Sequence, residues 1–71
     1  MDTQNTLEST GTIYAGAYII TFAATEEHRA ISLYDANIDD EMTREYGTIR
    51  ETLETVTLLL TSATMREEFM R

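Results

Sequence analysis

The sequence predicts an α+β fold in which an antiparallel β-hairpin is followed by a long amphipathic helix and a short C-terminal helix (ββαα). An uncharged run at residues 12–24 is rich in β-branched and aromatic residues, as strands are. Later in the chain, a heptad-spaced apolar series has the period of a helix. We therefore divide the chain into a flexible N-terminal arm, residues 1–11, and a single small α+β domain, residues 12–71.

The first predicted strand covers residues 12–24, TIYAGAYIITFAA. Because side chains of a strand alternate between its two faces, Tyr14 and Tyr18 are expected on one face, and Gly16 marks a bulge or a close backbone approach. A second strand, residues 30–34, follows after one short polar segment. That separation is typical of a hairpin loop, so the two strands are expected to be antiparallel.

The long helix is predicted at residues 38–61, with Asn37 as its N-cap. Its apolar positions are spaced alternately by four and three residues, as in a heptad repeat. Gly47 interrupts the segment, and Thr48 with Glu51 resembles a capping box, so two helices divided at Gly47 are the alternative. We favour one helix because the apolar positions keep their phase through the glycine. The predicted core or dimer contact consists of Tyr14, Tyr18, Met42, Tyr46, Ile49, Leu53, Val56 and Leu60.

A short terminal helix is predicted after a turn near residues 61–64, because Thr and Ser are weak helix formers. Thr64 and Glu67 have the spacing of a second capping box. Met65 and Phe69 lie four residues apart, so we expect both on the buried face of this helix.

The composition excludes several classes of function. Thirteen Asp and Glu against five Arg, with no Lys, give a net charge of −8, which repels nucleic acid and anionic membranes. With no Cys, three Gly and one His, the chain lacks the materials for a disulfide, a thiolate metal site or a phosphate-binding loop. We expect no enzymatic activity and no cofactor. The apolar run is too short to span a membrane, so a cytoplasmic location is expected, in a host cell if a phage encodes the protein.

One segment partly resembles a calcium-binding loop. Asp35, Asn37 and Asp39 match the first, third and fifth ligand positions of an EF-hand. The sixth position, where a glycine is needed, is Asp40, and the twelfth, where a glutamate is needed, is Tyr46. A helix cap with carboxylates at the positive end of the helix dipole explains the same residues, so no metal site is predicted.

The acids of the predicted long helix form a candidate binding surface. We call this set the acidic surface; it consists of Asp39, Asp40, Glu41, Glu45, Glu51 and Glu54. Spaced carboxylates can imitate a phosphate backbone and occupy a basic, nucleic-acid-binding groove on another protein. Small acidic inhibitors that phages direct against host defence or DNA-processing complexes, such as anti-CRISPR and anti-restriction proteins, share this character in class and charge. The alternative is that the acids only keep the chain soluble.

Association with a second copy is also expected. Leu, Ile, Val and Phe number only fifteen in 71 residues, so the core is small. A two-stranded hairpin is marginally stable alone, and the first strand has no Lys or Pro to protect its edge. We expect a homodimer, and the alternative function is a homodimeric structural or assembly module whose acidity serves solubility.

Overall fold

The computed structural model describes residues 7–71 and shows a four-stranded antiparallel sheet followed by two helices. The α+β class is confirmed, but the sheet contains four strands where two were predicted. Strand order in the sheet follows the chain, so each strand pairs with its sequence neighbour. The elements are β1 (Ser9–Ala15), β2 (Tyr18–Ala24), β3 (Arg29–Asp35), β4 (Asp40–Glu45), α1 (Ile49–Thr61) and α2 (Met65–Met70).

The predicted single strand at residues 12–24 is a β-hairpin, β1 and β2. Ala15 pairs with Tyr18, which leaves a two-residue loop, and Gly16 at the first loop position has a φ of 61°. Positive φ and glycine at that position are the requirements of a type II′ turn. β1 begins at Ser9, inside the predicted arm, and residues 1–6 of that arm lie outside the described residues.

This turn also separates two residues that were predicted to share a face. The register pairs Tyr14 with Ile19, so Tyr14 lies on the same face as Ile19 and on the opposite face from Tyr18. Tyr18 packs against the core, whereas Tyr14 is 75% exposed.

The prediction of one helix at residues 38–61 is wrong for its first part. Residues 40–45 form β4, whose backbone pairs with β3 and whose Met42 lies opposite Leu33. Asn37 is not a helix cap but part of the β3–β4 turn, where its backbone N–H donates to Asp35 Oδ1. Asp39 completes the turn with a φ of 52°, a conformation that Asp tolerates better than most residues. Strand pairing therefore determines the structure of this segment.

The alternative of two helices divided at Gly47 is right about the break and about the start of the second helix, but its first helix is the strand β4. Thr48 is the N-cap of α1, and its Oγ1 accepts a hydrogen bond from the backbone N–H of Glu51 at 3.0 Å. This contact satisfies one of the free N–H groups at the helix start.

The predicted heptad stripe matches only part of the buried surface. Ile49 and Val56 are buried, but Leu53 is only partly buried and Leu60 is 44% exposed. The buried positions of α1 are Ile49, Thr52, Val56 and Leu59. Thr52 tolerates full burial because its hydroxyl donates to the Thr48 carbonyl at 2.8 Å.

Both helices cover one face of the sheet, the inner face, and α1 lies over β2 and β3. The core contains residues from the sheet and from both helices: Ile20, Ile31, Leu33, Val56, Leu59, Met65 and Phe69. On the outer face a row of hydroxyl side chains crosses all four strands: Thr12, Thr21, Ser32 and Thr43. Neither helix covers this row.

The short terminal helix was predicted correctly, and Met65 and Phe69 are both buried. Thr64 is its N-cap residue but forms no side-chain capping hydrogen bond, so the second capping box is wrong. The end of α2 is held instead by Arg44 of β4, whose guanidinium donates to the carbonyls of Phe69 and Arg71 at 3.0 and 2.6 Å.

Candidate interaction surface

The six acids of the acidic surface do not decorate one helix. Asp39 lies in the β3–β4 turn, the next three belong to β4, and Glu51 and Glu54 belong to α1. All six residues are exposed. Because the helix at residues 38–48 does not exist, the surface is built from a strand edge and the following helix.

β4 is an edge strand among residues 7–71, and its side chains alternate between the two faces of the sheet. Glu41 lies opposite Tyr34 and Glu45 opposite Ala30, so both glutamates project from the outer face. Asp40 lies on the inner face at the start of the strand. The carboxylates therefore follow one edge of the sheet over about 17 Å, the length of six strand residues.

A shallow cleft of about 410 Å³ lies where β4 ends and the two helices meet it. Glu45 and Glu51 both line this cleft. On the predicted continuous helix at residues 38–61 these two side chains would be distant from each other. The full lining is Arg44, Glu45, Tyr46, Glu51, Thr55, Leu58, Glu68 and Arg71. Asp39, Asp40 and Glu41 lie at the other end of β4, so the structure brings together only part of the predicted set.

Among residues 7–71, no carboxylate of the acidic surface forms an ion pair. Within the described part of the chain, the ion pairs are those of Arg66 with Asp35 and of Arg71 with Glu68, each at 3.9 Å. Asp40 and Arg44 would be neighbours on the predicted helix, but along the strand β4 four residues span about 13 Å, so the two side chains are too far apart to pair.

Most of the arginines are engaged elsewhere in the fold. Arg29 donates to the carbonyls of Thr25 and Tyr46 at 2.9 and 3.3 Å. Arg44 holds the end of α2, as described above. These arginines organise backbone carbonyls, and the negative charge of β4 is left facing solvent.

Two tyrosines stand beside the acidic surface. Tyr34 OH donates to Asp39 Oδ1 at 2.7 Å, and this hydrogen bond raises the pKa of Tyr34 above its usual value because it favours the neutral phenol. Burial raises the pKa of Tyr46, while the nearby Arg44 acts in the opposite direction. Both phenols therefore stay neutral at physiological pH and add no charge to the surface, although the Tyr46 hydroxyl itself is buried.

The calcium-loop residues have other uses in the structure. Asp35 is buried, accepts from the N–H of Asn37 and pairs with Arg66, while Asp39 accepts from Tyr34. In residues 7–71 no group of three or more His, Cys, Asp or Glu side chains is placed to hold a metal ion. No helix within this range is long and apolar enough to cross a membrane.

Sequence reasoning missed the strand β4 and with it the roles of Tyr34 and Arg44. A signal for β4 was present in Asn37 and Asp39, since Asn and Asp favour turns as well as helix caps. No sequence signal indicated that Arg44 would hold the carbonyls of α2, because 25 residues separate Arg44 from Phe69.

No protein-family model, no curated protein and no solved structure matches this chain.

Proposed function

We propose that this chain is a non-enzymatic protein whose acidic surface binds a basic protein surface and blocks it. The observation that carries the proposal is the exposure of six carboxylates along β4 and the start of α1, none of which forms an ion pair within the described residues. Uncompensated charge at an exposed strand edge costs stability through repulsion and is useful when a partner of opposite charge neutralises it.

The partner that fits best is a nucleic-acid-binding protein. Such proteins bind phosphates through Lys and Arg and through neutral hydrogen bonds from side chains and backbone. The edge of β4 presents charged acceptors and a neutral one, because the hydroxyl of Thr43 lies between the carboxylates of Glu41 and Glu45. One groove cannot hold nucleic acid and this surface together, so binding inhibits the partner. We place the chain among inhibitors of host defence or DNA-processing complexes.

The test compares two charge-matched triple variants as baits in a pull-down from a lysate of the native host cell. Glu41→Gln, Glu45→Gln and Glu54→Gln together remove three charges from the acidic surface. Glu26→Gln, Glu27→Gln and Glu67→Gln remove three exposed charges outside it and serve as the control. We expect the wild type and the control to capture a nucleic-acid-binding protein that the first variant loses at least tenfold.

Two further measurements connect capture to mimicry. Capture is expected to weaken steeply as NaCl rises, because exposed charges are screened, and to be displaced by added duplex DNA. Equal capture by both triple variants, or capture that persists at high salt and in excess DNA, contradicts the proposal.

A further inference from the structure

The two edges of the sheet differ in charge. β1 has the sequence STGTIYA with no charged residue, whereas four of the six residues of β4, DEMTRE, are charged. In the described residues β1 pairs only with β2, so its other side is open. Open edges are normally protected by charges, proline or bulges, and β1 has none of these.

The hydrogen bonds identify which residues of β1 face the open side. Ala17 C=O accepts from the N–H of Ala36, so the backbone of Ala17 faces β3 and that of Tyr18 faces β1. Tyr18 pairs with Ala15, so Ala15 and every second residue before it face β2. The residues between them, Thr10, Thr12 and Tyr14, direct their N–H and C=O groups away from the sheet.

We propose that a second copy of this chain pairs with this edge, β1 against β1, antiparallel about a two-fold axis at Thr12. In this register Thr12 lies opposite Thr12 of the second copy, and Thr10 lies opposite its Tyr14. Thr12 then exchanges hydrogen bonds with its equivalent and Thr10 with Tyr14 of the second copy, and the two sheets become one sheet of eight strands. Closed two-fold pairing of this kind uses the same surface on both copies.

The side chains fit this register. Tyr14, 75% exposed in one copy, lies beside Thr10 of the second copy on the outer face. On the inner face Ile13 lies opposite Gly11, over which the apolar ring of Phe22 lies. Glu8 lies opposite Gly16, so no two like charges face each other.

The net charge of −8 also favours this edge over the others. Two copies repel each other wherever their acids meet, and β1 is the strand edge where they do not. The pairing leaves β4 and the acidic surface at the two far edges of the joined sheet. The inference is therefore independent of the proposed function and survives or fails separately from it.

The experiment measures the mass of the full chain in solution by sedimentation velocity. A protein concentration of about 100 µM is used, because a dimer with a small interface is populated there. We expect twice the 8.1 kDa of one chain for the wild type. Thr12→Pro removes an N–H that faces solvent in the single copy, as proline is tolerated at such edge positions, and is expected to give 8.1 kDa with an unchanged circular dichroism spectrum.

Thr43→Pro is the matched control, since Thr43 occupies the equivalent outward-facing position on β4 and is expected to keep the dimer. If Thr12→Pro fails to fold, Thr12→Lys replaces it as the test. Two lysines would face each other at the two-fold axis, so this variant is also expected to be monomeric. A wild-type chain at 8.1 kDa overturns the proposal, as does a dimer that survives the folded Thr12 variant or one that Thr43→Pro dissociates while remaining folded.

Discussion

At Gly16 a single backbone conformation determines the arrangement of the first two strands. Its φ of 61° lies in the left-handed region, which glycine adopts at little cost and other residues adopt only with strain. The resulting two-residue turn converts one uncharged run into a hairpin and moves Tyr14 to the open outer face. Gly47, by contrast, has no such conformational requirement.

We expect Gly16→Ala to lower the free energy of unfolding by about 1 kcal/mol, because the new Cβ meets no atom within 4 Å and only the backbone strain remains. Gly47→Ala is the control, since the nearest atom to its new Cβ is Glu51 Oε1 at 3.9 Å. Its stability is expected to stay the same or rise by about 0.5 kcal/mol. Urea unfolding at one protein concentration measures both variants, and a wild-type value for Gly16→Ala refutes the prediction.

At the scale of elements, the local preference for helix and the pairing with β3 compete for the segment that becomes β4. The acids at residues 39–41 suit the first turn of a helix, and the apolar spacing continues through them. The segment nevertheless forms a strand, because pairing with β3 satisfies one side of its backbone and packs Met42 against the core. The helix begins only at Ile49, where Thr48 supplies a cap.

The two helix N-caps offer a direct comparison. Thr48→Ala removes the hydrogen bond to the N–H of Glu51 and is expected to cost about 1 kcal/mol of stability. Thr64→Ala removes a side chain that makes no capping bond, so the expected change is within about 0.5 kcal/mol. Thermal or urea unfolding followed by circular dichroism distinguishes the two, and equal losses would show that the Thr48 cap is not what stabilises α1.

For the whole molecule, the excess of negative charge is distributed unevenly. β1 and β2 carry no charged side chain, while the β3–β4 turn, β4 and the start of α1 carry the acidic surface. Four of the five arginines donate to backbone carbonyls or pair with Asp35 and Glu68, and the fifth, Arg50, precedes Glu51 on α1. Repulsion among the remaining carboxylates therefore opposes folding.

Salt is expected to stabilise the protein as a consequence. Raising NaCl from about 20 to about 300 mM shortens the Debye length from about 20 Å to under 10 Å and weakens this repulsion, so the melting temperature is expected to rise by several degrees. The Glu41→Gln, Glu45→Gln and Glu54→Gln variant is expected to melt higher than the wild type at low salt and to respond less to salt. A melting temperature that falls with NaCl would show that attractive ion pairs dominate.

The sequence by itself determined the α+β class, the uncharged first segment, the antiparallel hairpin across residues 25–28 and the buried face of α2 at Met65 and Phe69, and it offered the cap at Thr48 as an alternative. These features depend on residues within a few positions of one another, so their signals are local. The tertiary structure alone decided that residues 40–45 form a strand, that Arg44 holds the end of α2, and which acids share one edge. The physical reason is that strand pairing and packing join residues that are distant in the chain, and their free energy outweighs the local preference for helix.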